Sequence, residues 1–522
     1  MVSLVTPLPK ISWLYDRGRS PWFWAVMIGL AAGVGLRWLN LGDKLFWYDE
    51  VFTALRVTGH MGGAVRDQVF NGVPVTAGQL LQYQTFAPDS TFCDTLRSFV
   101  DHPEHPPLFY LLCWAWVKLF GTSTAAFRGV SALASTLTFI ALPFLAWELF
   151  ASATAVVVLP LLFTFSPVHL LYAQEARQYA LWSLLIVVTT WALRRAVRLD
   201  NSSAWGCYVI GLALTFYTSV VSLFVLMAYS LYGLLVLPRQ QWRAFGAATT
   251  GAVLLFTPWL WVMWVQSQRL QSTTSWTTQV SFPMDALVKL WGLHFTAVFF
   301  DPNLPLENIY SWTIPPLFLL LLAAVSVALW KTLPPESSGL LLTLIWVPTI
   351  CLIGGDLVRG SILSKNTRYF VPALMGSLVG VAGWLSLLHS RRSRLAICGI
   401  ALTLGLSLIS SLAIIQAPTW WNKGISYHNL TVAQAIAEFD TPVVLTQNSG
   451  TTLGNVISLS HYLPASATFV ITVQPDIPQV PEAAETVLLY QPTEALMNSF
   501  ACPPEALPVP DGLFRVPCVP NP

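Results

Sequence analysis

The chain has 522 residues, of which 55% are apolar and only 10% charged, against about 25% charged in ordinary soluble domains. So few charges cannot build a water-soluble surface, and a formal net charge of +2 with its basic residues in short clusters leaves no basic stripe for nucleic acid. Most of the chain is therefore expected to be membrane-spanning helix.

Lys10, Arg17 and Arg19 precede the first long apolar run, and no small-residue cleavage signature follows at Leu41 to Lys44. The first span is accordingly expected to be uncleaved, with the N-terminus in the cytoplasm. A hydrocarbon core of about 30 Å needs roughly 20 apolar residues. Windows of that kind predict eleven spans, near 21–40, 125–147, 152–171, 179–195, 204–218, 220–237, 244–265, 311–330, 339–354, 370–388 and 395–415. With eleven spans, Arg194, Arg195 and Arg198, then Arg239 and Arg243, then Lys331, then Arg391, Arg392 and Arg394 all fall on the side of the N-terminus. The positive-inside rule makes that side the cytoplasm, in what is expected to be the plasma membrane.

Four large pieces then face outward: 41–124, 172–179, 266–310 and everything after 416. Within the first, residues 106–120 (PPLFYLLCWAWVKLF) are too short to span comfortably, and a crossing there would move every later basic cluster to the wrong side. They are expected to form a helix in the outer interface. From Trp420 onward the composition is that of soluble protein, with helix-like TVAQAIAEF and TTLGNVISLSHYL among strand-like PVVLTQ, TFVITV and TVLLY. The expected organisation is a membrane domain over 1–418 and a small outer α/β domain over 419–522. The latter lacks a nucleotide-phosphate glycine fingerprint and has a substrate-positioning or structural role. Cys113, Cys207, Cys351 and Cys398 lie in apolar runs and are expected to be buried, whereas Cys502 and Cys518 lie in a polar tail where a disulfide can form.

Chemistry gathers at four places. FWYDE at 46–50 puts Asp49 and Glu50 at headgroup level, where an acid can serve as a base toward a hydroxyl; capping of the following helix is the alternative. DHPEHPPLFY at 101–110 brings Asp101, His102, Glu104 and His105 within five residues, as metal ligands, proton carriers or plain surface groups. SPVHLLYAQEARQYALW at 166–182 carries Glu175, Arg177 and Tyr179, whose charges belong at an interface or a wet cavity, for ligand contact or mutual pairing. SKNTRYFVPAL at 364–374 carries Lys365, Arg368 and Tyr369 on the outer side, where the positive-inside rule does not explain cations but a phosphate partner or a lipid headgroup would.

WYDE at 47–50, HPPLFYLL at 105–112, YAQEARQYAL at 172–181 and RYFVPAL at 368–374 together resemble the GT-C membrane glycosyltransferases. The resemblance is to their family 39, the protein-mannosyltransferase-like branch that includes aminoarabinose transferases. It implies an all-α polytopic fold of the GT-C type with interfacial helices in the first outer loop. It also implies that Asp49 is the catalytic base with Glu50 beside it, and that His105, Glu175, Arg177 and Tyr179 line the cavity. Arg368, with Lys365 and Tyr369, would hold a lipid-linked phosphate, and a divalent metal ion near it would draw on His102, Glu104 and His105. The implied partners are a polyprenyl-phosphate sugar, membrane lipid, and an acceptor that is protein, lipid or glycan. A lipid-linked sugar flippase and a non-catalytic membrane subunit are the alternatives.

Overall fold

A computed structural model describes residues 21–279, 282–482 and 484–518, with the side chains of 21–23 left out. Lys10, Arg17 and Arg19 lie outside the described residues. Every segment expected to span is mainly helical. Among the described residues seven helices are long and apolar enough to cross a membrane, or eight if a bent pair counts as one span. The helices Trp24–Trp38, Ser202–Thr218 and Ser222–Val236 are shorter than that measure requires. Leu108–Phe120 is a 13-residue helix, with Phe109, Tyr110, Cys113 and Val117 on its packed face and Leu112, Leu119 and Phe120 exposed. The whole is mainly helical, with a small sheet in its C-terminal part.

The segment 152–171, expected as one continuous span, is broken. Helices Ala153–Thr164 and Pro167–Ala173 meet at 63°. Pro167 removes a backbone donor and pushes Ser166 into an extended conformation (ψ 115°), which stops the first helix. The freed carbonyls of Phe163 and Thr164 accept from Arg37 at 2.8 and 2.9 Å, and its guanidinium lies between the rings of Phe139 and Phe163. Arg37 is fully buried, an ionisable group in the first helix that the hydropathy reading passed over. The break turns the chain back so that residues 174–178 reach the loop that follows the first helix, where the Gln174 side chain donates to Leu36 O and Leu39 O.

The expected strands and helices of the C-terminal part are present. Strands β2 (Pro442–Gln447), β3 (Thr468–Thr472) and β4 (Thr486–Tyr490) pair in parallel around β2, with Val444 opposite both Phe469 and Leu488. The sheet gains β5 (Glu505–Ala506) and β6 (Leu513–Arg515) at one edge. At the other it gains a strand from the first long loop, β1 (Val75–Thr76), for an order of β1-β3-β2-β4-β6-β5. Two residues are too few to announce a strand by alternation, so β1 exists only through pairing with β3. Cys502 and Cys518 form a disulfide. Of the four cysteines expected to be buried, Cys113 is, Cys351 is half-buried, and Cys207 and Cys398 lie on the outside of the helices. An apolar run in a membrane protein has faces turned to lipid as well as to protein, so hydropathy alone cannot assign burial.

The contact between these parts sets the site. All nine residues of the helix Thr452–Ser460 are buried. It lies so close to the helix Tyr48–Val57 that a Cβ on Gly454 would stand 2.4 Å from the Tyr48 ring, a contact only glycine allows. Around it, Ser458 Oγ donates to Phe46 O at 2.7 Å, Phe46 N to the Tyr462 hydroxyl at 2.7 Å, and Leu45 N to Pro418 O at 2.9 Å. The C-terminal region thus grips the strand-like entry to the Asp49 helix.

Candidate active site

The helix Tyr48–Val57 begins with Asp49 and Glu50 in its first turn, where the unpaired amide groups favour negative charge. Glu50 Oε2 accepts from Trp47 N at 3.4 Å, so the capping alternative holds for that acid. The two neighbours then part company, because successive residues on a helix point about 100° apart.

Asp49 turns toward 368. Its Oδ2 is paired directly with Arg368 Nη1, and Arg177 Nε stands 3.9 Å from the same oxygen. Arg177 Nη1 also donates to Asp49 O and Thr53 Oγ1, each at 3.3 Å. Burial would raise the Asp49 carboxyl, but Arg368, with Arg177 and Arg56, holds it below the usual carboxylate range. The Arg368 guanidinium lies over Trp47 (5.8 Å) and Tyr369 (5.6 Å), and that of Arg177 over Tyr179 (5.9 Å). Asp49, Arg177, Tyr179, Arg368 and Tyr369, read from three separate motifs, are therefore brought together.

Glu50 turns inward and is fully buried. Arg128 grips it from Nε to Oε1 and from Nη2 to Oε2, both 2.7 Å, and Ala176 N donates to Oε1 at 2.7 Å. The same guanidinium donates to the carbonyls of Leu41, Lys44 and Leu45. Burial would raise the Glu50 carboxyl, and Arg128 and Lys423 outweigh that to lower it. With both oxygens committed, Glu50 lacks the open lone pair that a base beside Asp49 would need, and its geometry is that of a clamp.

Glu175 is also buried, and neither of its oxygens has a hydrogen-bond partner among the described residues. Lys423 Nζ lies 3.9 Å from Glu175 Oε1 and 3.9 Å from Glu50 Oε2, one cation between two acids. Burial raises the Glu175 carboxyl to about 7 against the pull of Lys423, with Glu50 adding to the rise. Burial likewise lowers Lys44, to about 7, helped by Lys423 and Arg128.

The 101–105 turn makes its own cluster. His102 Nδ1 lies 3.3 Å and His105 Nε2 3.8 Å from Glu104 Oε1, while Asp101 pairs with Arg269 at 2.9 Å and Thr273 donates to Glu104 Oε2 at 3.0 Å. Burial, then Arg56 and Arg177, pushes His105 well below its usual range, so its imidazole is neutral. Among the described residues no three His, Cys, Asp or Glu side chains converge to hold a metal ion. Glu104 is engaged instead by His102 through Oε1 and by Thr273 through Oε2. The Lys365 ammonium lies 4.4 Å from the Phe282 ring centre, and burial and the charge of Arg368 both lower its pKa.

Arg128, Lys423, Lys44 and Arg37 were not legible as site residues. Arg128 sits in an apolar helix without a motif, and Lys423 follows the last span by only a few residues; a lone cation in a long outer segment was the available signal.

A family model described as dolichyl-phosphate-mannose-protein mannosyltransferase matches residues 104–264. No curated protein matches the chain by sequence. Among solved structures, ArnT from Cupriavidus metallidurans bound to undecaprenyl phosphate superposes with a TM-score of 0.53 at 12% identity, covering 97% of this chain and 98% of that one. The apo state of the same protein gives 0.55 at 12% identity, over 95% and 98%. The fold is that of the GT-C membrane glycosyltransferases. Residues 104–264 carry the likeness to the protein-mannosyltransferase model, and the fold as a whole is similar to that of ArnT.

Proposed function

We propose that the protein transfers a sugar from a polyprenyl-phosphate donor to an acceptor hydroxyl on the extracytoplasmic side of the membrane, with inversion at the anomeric carbon. The observation that carries the reading is the meeting of Asp49 with Arg368 and Arg177, one carboxylate against two guanidiniums from segments 128 and 319 residues away. The structural likeness to a protein solved with undecaprenyl phosphate supports the same donor class.

In this reading Arg368 receives the donor phosphate through its planar fork of donors. Asp49 takes the proton of the acceptor hydroxyl as its oxygen attacks the anomeric carbon, and the sugar–phosphate bond breaks with its electron pair on the phosphate. The guanidiniums offset the charge left there. Residues 1–418 act as the catalytic membrane part. Residues 419–522 act as an outer α/β unit that holds the Asp49 helix in place, consistent with its contacts at Phe46 and Tyr48.

The test is transfer in proteoliposomes supplied with labelled undecaprenyl-phosphate sugars and candidate protein, lipid and glycan acceptors. Label joined to an acceptor is the expected result. Label that only changes leaflet would replace transfer with flipping.

A further inference from the structure

Asp49 and its two arginines do not balance. Two guanidiniums meet one carboxylate, and the Nε atoms of both Arg177 and Arg368 are buried without a hydrogen-bond partner among the described residues. Arg177 is only 3% exposed, and its Nη1 is already committed to Asp49 O and Thr53. Arg368 has one further partner, Asn366 Oδ1, at 3.3 Å. Buried donors without acceptors are costly, so this corner has capacity for an anion larger than one carboxylate.

Asp49 cannot serve two purposes at once. A carboxylate locked to a guanidinium is a weak base, because the cation stabilises the very charge that proton uptake would remove. Yet the acid proposed as base is the one that occupies Arg368. Building on the proposed function, we infer that Asp49 is the resting occupant of the lipid-phosphate site. The donor phosphate displaces its carboxylate from Arg368 on binding, and Asp49 becomes a competent base only then. The device enforces order. Without donor the base is masked; with donor, the ligand that supplies the sugar also releases the group that activates the acceptor. The phosphate monoester left after transfer carries more charge than the donor diester, so it holds Arg368 more firmly and makes departure of the lipid phosphate a slow step.

Competition for one guanidinium gives a readout that cooperation does not. Undecaprenyl phosphate alone serves as the probe, titrated into the detergent-solubilised full chain. Asp49→Asn and Asp49→Ser keep a small polar side chain but remove the competing charge, and thermal unfolding identifies whichever variant is folded for use. Either folded variant is expected to bind the lipid phosphate about tenfold more tightly than wild type, within the usual range of coupling between sites. Equal or weaker binding would overturn the displacement, since Asp49 and phosphate would then use separate faces of Arg368 or support each other. Arg368→Ala run alongside separates the two levels: binding as tight as wild type there would overturn the phosphate assignment itself.

Discussion

Glu50 gives both of its carboxylate oxygens to Arg128, at 2.7 Å each, with neither side chain exposed to solvent. A third contact, from Ala176 N, ties the same carboxylate to the turn that carries Arg177. One acid thus fixes three pieces of chain, the Leu41–Leu45 entry, the Asp49 helix and the 174–178 turn.

Replacing Glu50 by Gln should leave Arg128 buried with a neutral partner and cost about 3–5 kcal/mol of stability. A marked fall in the apparent melting temperature in detergent is the expected result. The double variant Glu50→Gln with Arg128→Met should recover part of that loss, because the stranded charge is gone. A stable but inactive Glu50→Gln would instead give Glu50 a direct part in the chemistry.

Asp49→Asn should behave in the opposite way. It loses the proton acceptor but keeps the shape, so transfer by the folded variant should fall by roughly 10²- to 10⁴-fold, far beyond any loss that its lowered stability explains. Rates of transfer to any working acceptor, measured beside thermal unfolding, check this. Retained activity would remove Asp49 from the role of base.

Glu175 should give stability a pH dependence. Its carboxyl is raised from 4.5 to about 7, first by burial and then by Glu50 and Asp49, with Lys423 and Arg368 opposing. The folded state therefore holds its proton more tightly than the unfolded chain. The contribution is whole below the unfolded value and is lost as pH rises through about 7, by an amount on the order of 3 kcal/mol. Inactivation half-lives between pH 5 and 8 should shorten toward the alkaline end in wild type, and Glu175→Gln should flatten that trend. Removing the nearest cation with Lys423→Met should move the transition to higher pH.

Gly454→Ala tests the grip of the C-terminal region on the site. The new methyl would lie 2.4 Å from the Tyr48 ring and 3.1 Å from Phe52, in a helix buried on all nine residues. Overpacking of this kind costs about 1–3 kcal/mol. It should also push the Asp49 helix, lowering transfer more than a substitution at Gly405, which has nothing within 4 Å. Equal activity in the two variants would show that the region holds the fold without holding the site.

Much of this cluster of side chains could be read before any fold was known. Asp49, Arg177, Arg368, Tyr179 and Tyr369 each stand in a short motif where charge and aromatic rings interrupt apolar sequence, and such interruptions are too costly in a membrane protein to be incidental. The same reading could not tell which way each near neighbour faces. Glu50 follows Asp49 by one residue and faces the other way, and Lys365 precedes Arg368 by three yet rests on Phe282. Chain proximity cannot resolve facing, because each step along an α-helix turns the side chain by about 100°, and Lys365 and Arg368 lie in separate 3-10 turns.

By itself the sequence determined that this chain is a helical membrane protein with a small α/β part, since hydropathy and periodicity are local properties that a single chain displays in full. Tertiary structure alone decided where the first span's Arg37 would be spent, which strand of the long loop would join the sheet, and which cations would meet which acids. Those pairings depend on segments from 78 to nearly 400 residues apart coming together, and the free energy that selects them, burial of charge or backbone against a partner, exists only once the chain has folded.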